Sequence, residues 1–223
     1  MTTLRSSRFA DFNAGTTLIE PMQLIRALGS RKNHDKAAML EVFECRVEVW
    51  TLAPAIAMLK LMEDRADNSV WAHSGYTPLA ATFSYFEMIG KILNPGARKA
   101  GTAAPDFNYG FCDVYDDWAK GQAGRSDKDV PDVRQFRDRV RNGLYHLGFT
   151  KSHLYIHHQP DRWPHDFTIE LQNAEPYYFV NPHNMTRRIL DHFPTLMSRL
   201  RAADEQGPLM TQFKKFYVDF HEG

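Results

Sequence analysis

Cysteine is nearly missing from this chain: Cys45 and Cys112 are the only two in 223 residues. Each lies inside an apolar run of helical spacing and neither has a metal-type partner, so two buried thiols in a reducing cytosol are expected, not a disulfide scaffold. Net charge is missing too. Twenty-seven Lys and Arg balance twenty-seven Asp and Glu, so no global field draws the chain to nucleic acid or an anionic membrane, and any such binding has to come from a local patch. Nowhere do about 18 uncharged apolar residues run together, and the start, MTTLRSSRFADFN, lacks the apolar stretch of a signal peptide. A soluble, cytoplasmic protein is expected. No internal repeat, low-complexity tract or Gly-rich phosphate loop is visible.

What is present is enough apolar sequence, 43% of residues, to bury one sizeable core in a single domain spanning 1–223. Residues 1–34 read as an arm with a short helix in EPMQLIRALGS. From Asp35 to Asp64, Met39, Val42, Phe43, Val47, Trp50, Leu52, Ile56 and Leu59 recur at helical spacing, and Pro54 predicts a kink or a break. TPLAATFSYFEMIGKILNPG predicts a third helix with Thr77 as cap, Pro78 in its first turn and Asn94-Pro95-Gly96 at its end. Shorter helices are expected in FNYGFCDVYDDWAKG and in DVPDVRQFRDRVRNGLYHLG, which closes a core bundle over 35–151.

The period then falls to about 2. HLYIHH, DFTIEL and YYFVN predict the strands of a small β-hairpin or meander inserted at about 152–181. Helical spacing returns in the 182–223 region through NPHNMTRRILDHFPTLMSRLRA, which Pro194 is expected to kink or split, and through PLMTQFKKFYVDFHEG. The apolar stripe of that last segment, Met210, Phe213, Phe216, Tyr217 and Phe220, either locks onto the core or seeks a partner chain. The fold class is therefore mainly α, a helical bundle with a small β insertion before its final helices.

Chemistry concentrates in RDRVRNGLYHLGF, residues 137–149. On a wheel of 100° per residue, Val133, Phe136, Val140, Leu144 and Leu147 form the buried stripe. Arg139, Asn142 and His146 lie on a second stripe, and Arg141 projects from the other flank of the exposed side. A histidine transfers protons near neutral pH, and an arginine can hold two phosphate oxygens and stabilise charge that grows on them. Together they suffice to cleave RNA through its own 2′-hydroxyl without a metal or other cofactor. The plainer reading is a solvated helix face with a histidine near the C-terminal carbonyls.

RNGLYH resembles the Arg, polar residue, three residues, His signature of the HEPN superfamily (higher eukaryotes and prokaryotes nucleotide-binding domains). Arg141, Asn142 and His146 match its tight form, and Arg139 with His146 matches a looser one. The aromatic-rich TFSYFEMIGKIL, with its acidic residue, is similar to the helix that precedes the motif in many members; the likeness spans roughly residues 35–200. It implies an all-α bundle that dimerises with two motif helices face to face and often acts as a metal-independent endoribonuclease, a toxin with a cognate antitoxin or a defence protein. RNA or a nucleotide would be the ligand. The arm and the β insertion depart from a minimal bundle.

Glu87 could orient the histidine or an arginine, or pair with Lys91 at i+4. Tyr145 and Trp163 are candidates for stacking on unpaired bases, as are Tyr155, His157, His158 and Tyr177, which could equally pack the insertion onto the bundle. His153, His157, His158 and His165 with Asp166 form a weak zinc candidate, and Asp113, Asp116 and Asp117 a weak magnesium one. Beside the nuclease reading stand a non-catalytic module that binds a nucleotide or protein through the same cleft, and a purely structural helical protein.

Overall fold

The computed structural model describes residues 35–64, 76–94, 103–115, 135–140, 153–156, 165–173 and 175–222. The described elements are helices α1 (Lys36–Val47), α2 (Ala53–Asp64), α3 (Tyr76–Leu93), α4 (Ala103–Val114), α5 (Pro182–Ala202) and α6 (Pro208–Glu222) and a sheet of β1 (Leu154–Ile156), β2 (Phe167–Gln172) and β3 (Glu175–Val180). A further helical segment covers 135–140. The fold is mainly α with a small β insertion, as the change of period from 3.6 to 2 implies. The N-terminal arm and short helix at 1–34 lie outside the described residues.

Local chemistry sets the helix ends. Asp35 caps α1, its Oδ1 accepting from the Ala37 amide. Asn181 caps α5, its Oδ1 accepting from the amides of His183 and Asn184 while Pro182 occupies the first turn, where the missing N–H of proline costs nothing. Helix α3 starts at Tyr76, so Thr77 lies within its first turn and not at the cap. At the far end of α5 the Lys36 ammonium donates to the carbonyls of Arg201 and Ala203, placing a cation against the negative helix terminus.

The two interior prolines behave differently from each other. The run from Asp35 to Asp64 divides into α1 and α2 just before Pro54. Ahead of Pro54 the backbone widens into a π-helical turn over Glu48–Leu52, with the Ala53 amide donating to the Glu48 carbonyl five residues back; a wider turn absorbs the bond that proline cannot make. Pro194 sits inside an uninterrupted α5.

The sheet departs from a meander. Strand order is β1-β3-β2, with β2 and β3 forming an antiparallel hairpin and β1 running parallel to β3. Strand β3 therefore lies between β1 and β2, so strands adjacent in the chain are not neighbours in the sheet. Asn173, at φ 53° in the hairpin turn, is one of the few non-glycine residues that tolerates the left-handed region.

Helix α3 is the hub, packed by α2, α4, α5, α6 and the π turn. Its Phe83 and Phe86 meet Phe107 and Phe111 of α4, and the cluster continues through Phe136 to Phe167 and Tyr178 of the sheet. A second aromatic group, Phe43, Phe193, Phe213 and Phe216, joins α1, α5 and α6. The stripe of α6 therefore locks onto the core: Met210, Phe213, Phe216 and Tyr217 are buried. Cys45 is buried, Cys112 half-buried, and no disulfide joins them.

The α3–α4 crossing is close enough for backbone contact. A Cβ on Gly90 would overlap the Asp106 carbonyl, and one on Gly110 the Phe86 carbonyl. Alanine is the better helix former by about 1 kcal/mol, yet Gly90→Ala and Gly110→Ala are each expected to lose stability by about 1–3 kcal/mol or more, because two backbones would have to separate. Denaturant midpoints test this; an unchanged or raised midpoint for either variant would show that the helices do not depend on contact there.

Candidate functional site

The helical segment 135–140 leads into the arginine-rich motif, and its placement begins with two apolar side chains. Phe136 and Val140 are buried, one turn apart on the stripe that the wheel assigns to the core. Phe136 packs edge-on to Phe83 of α3 at 5.1 Å and stacks on Tyr178 of β3 at 5.7 Å. The segment is thus wedged between the hub helix and the inner face of the sheet.

Polar contacts fix its rotation. Arg137 is buried, and its guanidinium meets Glu87 of α3 at 3.2 Å and Asp138 at 3.1 Å. A guanidinium taken out of water needs such partners, because desolvation otherwise costs several kcal/mol. On the sheet side, Arg139 lies over the Tyr178 ring at 5.5 Å, and the Tyr178 hydroxyl donates to Gln135. Glu87 therefore contacts an arginine of this helix, but it is Arg137, to which the sequence pattern gave no role. Phe136 and Arg137 are adjacent and both buried, so no helical period marks the ion pair.

Arg141, Asn142, Tyr145, His146 and Trp163 lie outside the described residues. So do Asp116, Asp117, His157 and His158. The described members of the two metal candidates are held elsewhere. His153 stacks on Tyr177 and pairs with Glu175 at 3.2 Å. Asp166 receives Arg188 Nε at 3.1 Å, with the Arg188 guanidinium above the Tyr115 ring. Burial first, and then the charge of Asp166, push the Tyr115 hydroxyl well above its ordinary range.

Asp113 belongs to a constellation that the sequence did not disclose. Its Oδ2 lies 3.0 Å from His192 Nε2, both its oxygens accept from Arg199 at 2.8 Å, and His192 Nδ1 is 2.8 Å from the Tyr85 hydroxyl. Burial alone would raise the Asp113 carboxyl. The hydrogen bonds and charges of His192 and Arg199 outweigh it and hold the group below its ordinary value of 3.8. An ionised carboxylate only accepts, so His192 Nε2 donates to Asp113, while Nδ1 faces the Tyr85 hydroxyl. Burial, followed by the Asp113 charge, pushes Tyr85 well above its ordinary range, so it remains a phenol that can donate.

Tyr85, Asp113 and His192 come from α3, α4 and α5. The Tyr85 ring is buried, so one end of the chain of hydrogen bonds lies in the core, while Arg199 at the other end is exposed. Its chemistry is that of a clamp. The available signal was the seven-residue spacing of His192 and Arg199, which puts both on one face of α5.

No family model matches the chain, and no curated protein or solved structure matches it either. Among the described residues no helix is long and apolar enough to cross a membrane.

The clamp makes stability depend on pH with a defined sign. A carboxyl held below its ordinary value stabilises the fold above that range, and the contribution is lost as pH falls through the folded pKa. Asp113→Asn is expected to cost about 1–2 kcal/mol at neutral pH, the range for hydrogen bonds to a charged group with one partner screened by solvent. The gap between variant and wild type should close below about pH 4, near the unfolded carboxylate value. Thermal melts from neutral to acid pH measure it, and a gap independent of pH would remove the clamp from the account.

Proposed function

We propose that the chain is a homodimeric, metal-independent endoribonuclease of the HEPN type, working through Arg141, Asn142 and His146. Arg141 stabilises the phosphate, His146 transfers the proton, and Asn142 positions the scissile group. The 2′-hydroxyl gives its proton to the base as its oxygen bonds to phosphorus. The bond to the 5′ oxygen breaks, and that oxygen leaves protonated as a 5′-hydroxyl. A second copy completes the cleft, RNA is the substrate, and a cognate antitoxin is the expected protein partner.

The observation that carries this reading is how the helix entering the motif is held. A helix whose Phe136 and Val140 are buried, and whose Arg137 is seated on Glu87, has little freedom to rotate. Catalysis by positioned charge needs that rigidity, since a displacement of about 1 Å in a reacting group can cost about a hundredfold in rate. Arg139 is already engaged with Tyr178, which favours the tight spacing, Arg141 with His146, over the loose one that would use Arg139.

His146→Ala and Arg141→Ala are each expected to lower RNA cleavage by about 10²–10⁴-fold, as when a proton-transfer group or a preorganised charge is lost. Arg139→Ala should cost less. Products formed in excess chelator should carry 2′,3′-cyclic phosphate and 5′-hydroxyl ends, and light scattering should find twice the 25.7 kDa chain mass. Magnesium-dependent cleavage would overturn the mechanism; no cleavage of any RNA would leave the non-catalytic binding module.

A further inference from the structure

The two faces of the sheet have opposite chemistry. Cross-strand register puts Leu154, Ile156, Phe167, Ile169, Tyr178 and Val180 on one side, where they belong to the core or pack against it. The other side carries Tyr155 of β1, Thr168 and Glu170 of β2, and Glu175, Tyr177 and Phe179 of β3. On that face the rings form a column. His153 stacks on Tyr177 at 4.4 Å, Tyr177 on Tyr155 at 6.1 Å and Tyr155 on Phe179 at 5.2 Å, with interplanar angles between 13° and 19°. Tyr155 is 48% exposed, unusual for a large aromatic residue in a sheet.

Charge decides what such a face accepts. The three strands contain Glu170 and Glu175 and no Lys or Arg. Glu170 is directly opposite Tyr177 and exposed, and among the described residues no cation pairs with it. A nucleic acid laid on these rings would bring phosphates toward the Glu170 carboxylate, which is repulsive. A cation is attracted instead, by the Glu170 carboxylate and by any ring face that the stack leaves uncovered.

We infer that this outer face is a docking surface for a basic polypeptide segment, with an arginine or lysine side chain lying against Tyr155 and Tyr177 beside the Glu170 carboxylate. None of the residues that form this face belongs to the Arg141–His146 motif.

The test uses the full chain and a short oligo-arginine peptide in a calorimetric titration, with a short oligouridylate as the competing probe. The peptide should bind, and Tyr155→Ala and Glu170→Gln should each weaken it about tenfold, near the upper range of a cation over an aromatic ring. Tyr155→Phe, which keeps the ring, should bind as wild type. Glu205→Gln, an exposed carboxylate between α5 and α6, should change nothing. Tyr155→Phe should melt as wild type, whereas Tyr155→Ala, which loses its stacking on Tyr177 and Phe179, should melt lower but still fold cooperatively. An equal loss for Glu205→Gln would reduce the effect to nonspecific charge and overturn the site, as would no binding of the peptide at all. Loss of oligouridylate binding in Tyr155→Ala, with peptide binding intact, would make the face an RNA platform instead.

Discussion

The backbones of α3 and α4 touch where Gly90 faces the Asp106 carbonyl and Gly110 faces that of Phe86. Two helices separated by ordinary side chains lie about 8–10 Å apart; removing two Cβ atoms lets these come closer. The approach interleaves Phe83 and Phe86 with Phe107 and Phe111. Each such aromatic contact adds about 0.5–1.5 kcal/mol beyond the area it buries. It also buries Asp106, whose Oδ1 accepts from Asn94 at the end of α3. On the same helix pair, Tyr85 and Asp113 come near enough for one imidazole of α5 to bridge them. The aromatic core and the polar clamp thus rest on one crossing.

Much of this architecture is legible from spacing, because burial of a helix face or a strand face writes a period into the sequence. Asn181-Pro182 marks the start of α5 and the alternation through β2 and β3 marks their strands, since capping and pleating are local. What was not legible is long-range. Glu87 and Arg137 are 50 positions apart, Asp113 and His192 are 79, and Tyr85 and His192 are 107. No period connects such pairs. The pairing of β1 with β3, and the π turn ahead of Pro54, are invisible for the related reason that several backbone solutions satisfy one hydrophobic pattern.

The arginines of the motif helix show how a charged run can be misjudged. A cluster such as RDRVR is ordinarily a solvated face, and that reading would treat its members alike. Arg137 instead lies in the interior with a carboxylate from α3, and Arg139 covers the Tyr178 ring. Their work is to seat the helix. Glu87, which the pattern offered as a partner for a functional arginine, is engaged with a structural one. A positioned reactive side chain needs such a foundation.

The strand β3 places three aromatic residues in a row, and a single register decides their roles. Tyr178 points inward, stacking on Phe136 and donating to Gln135, while its neighbours Tyr177 and Phe179 join the outer column with Tyr155. A slip of one residue would exchange them, bringing Tyr177 and the carboxylate of Glu175 to the core side and removing the ring that holds the motif helix. Asn173 opposes that slip. Its left-handed backbone closes the hairpin with Gln172 opposite Glu175, and a tight turn of this type leaves the strands one pairing. The same local turn that completes the core therefore also determines which aromatic rings face solvent, so the inner support of the motif helix and the outer acidic surface cannot vary independently.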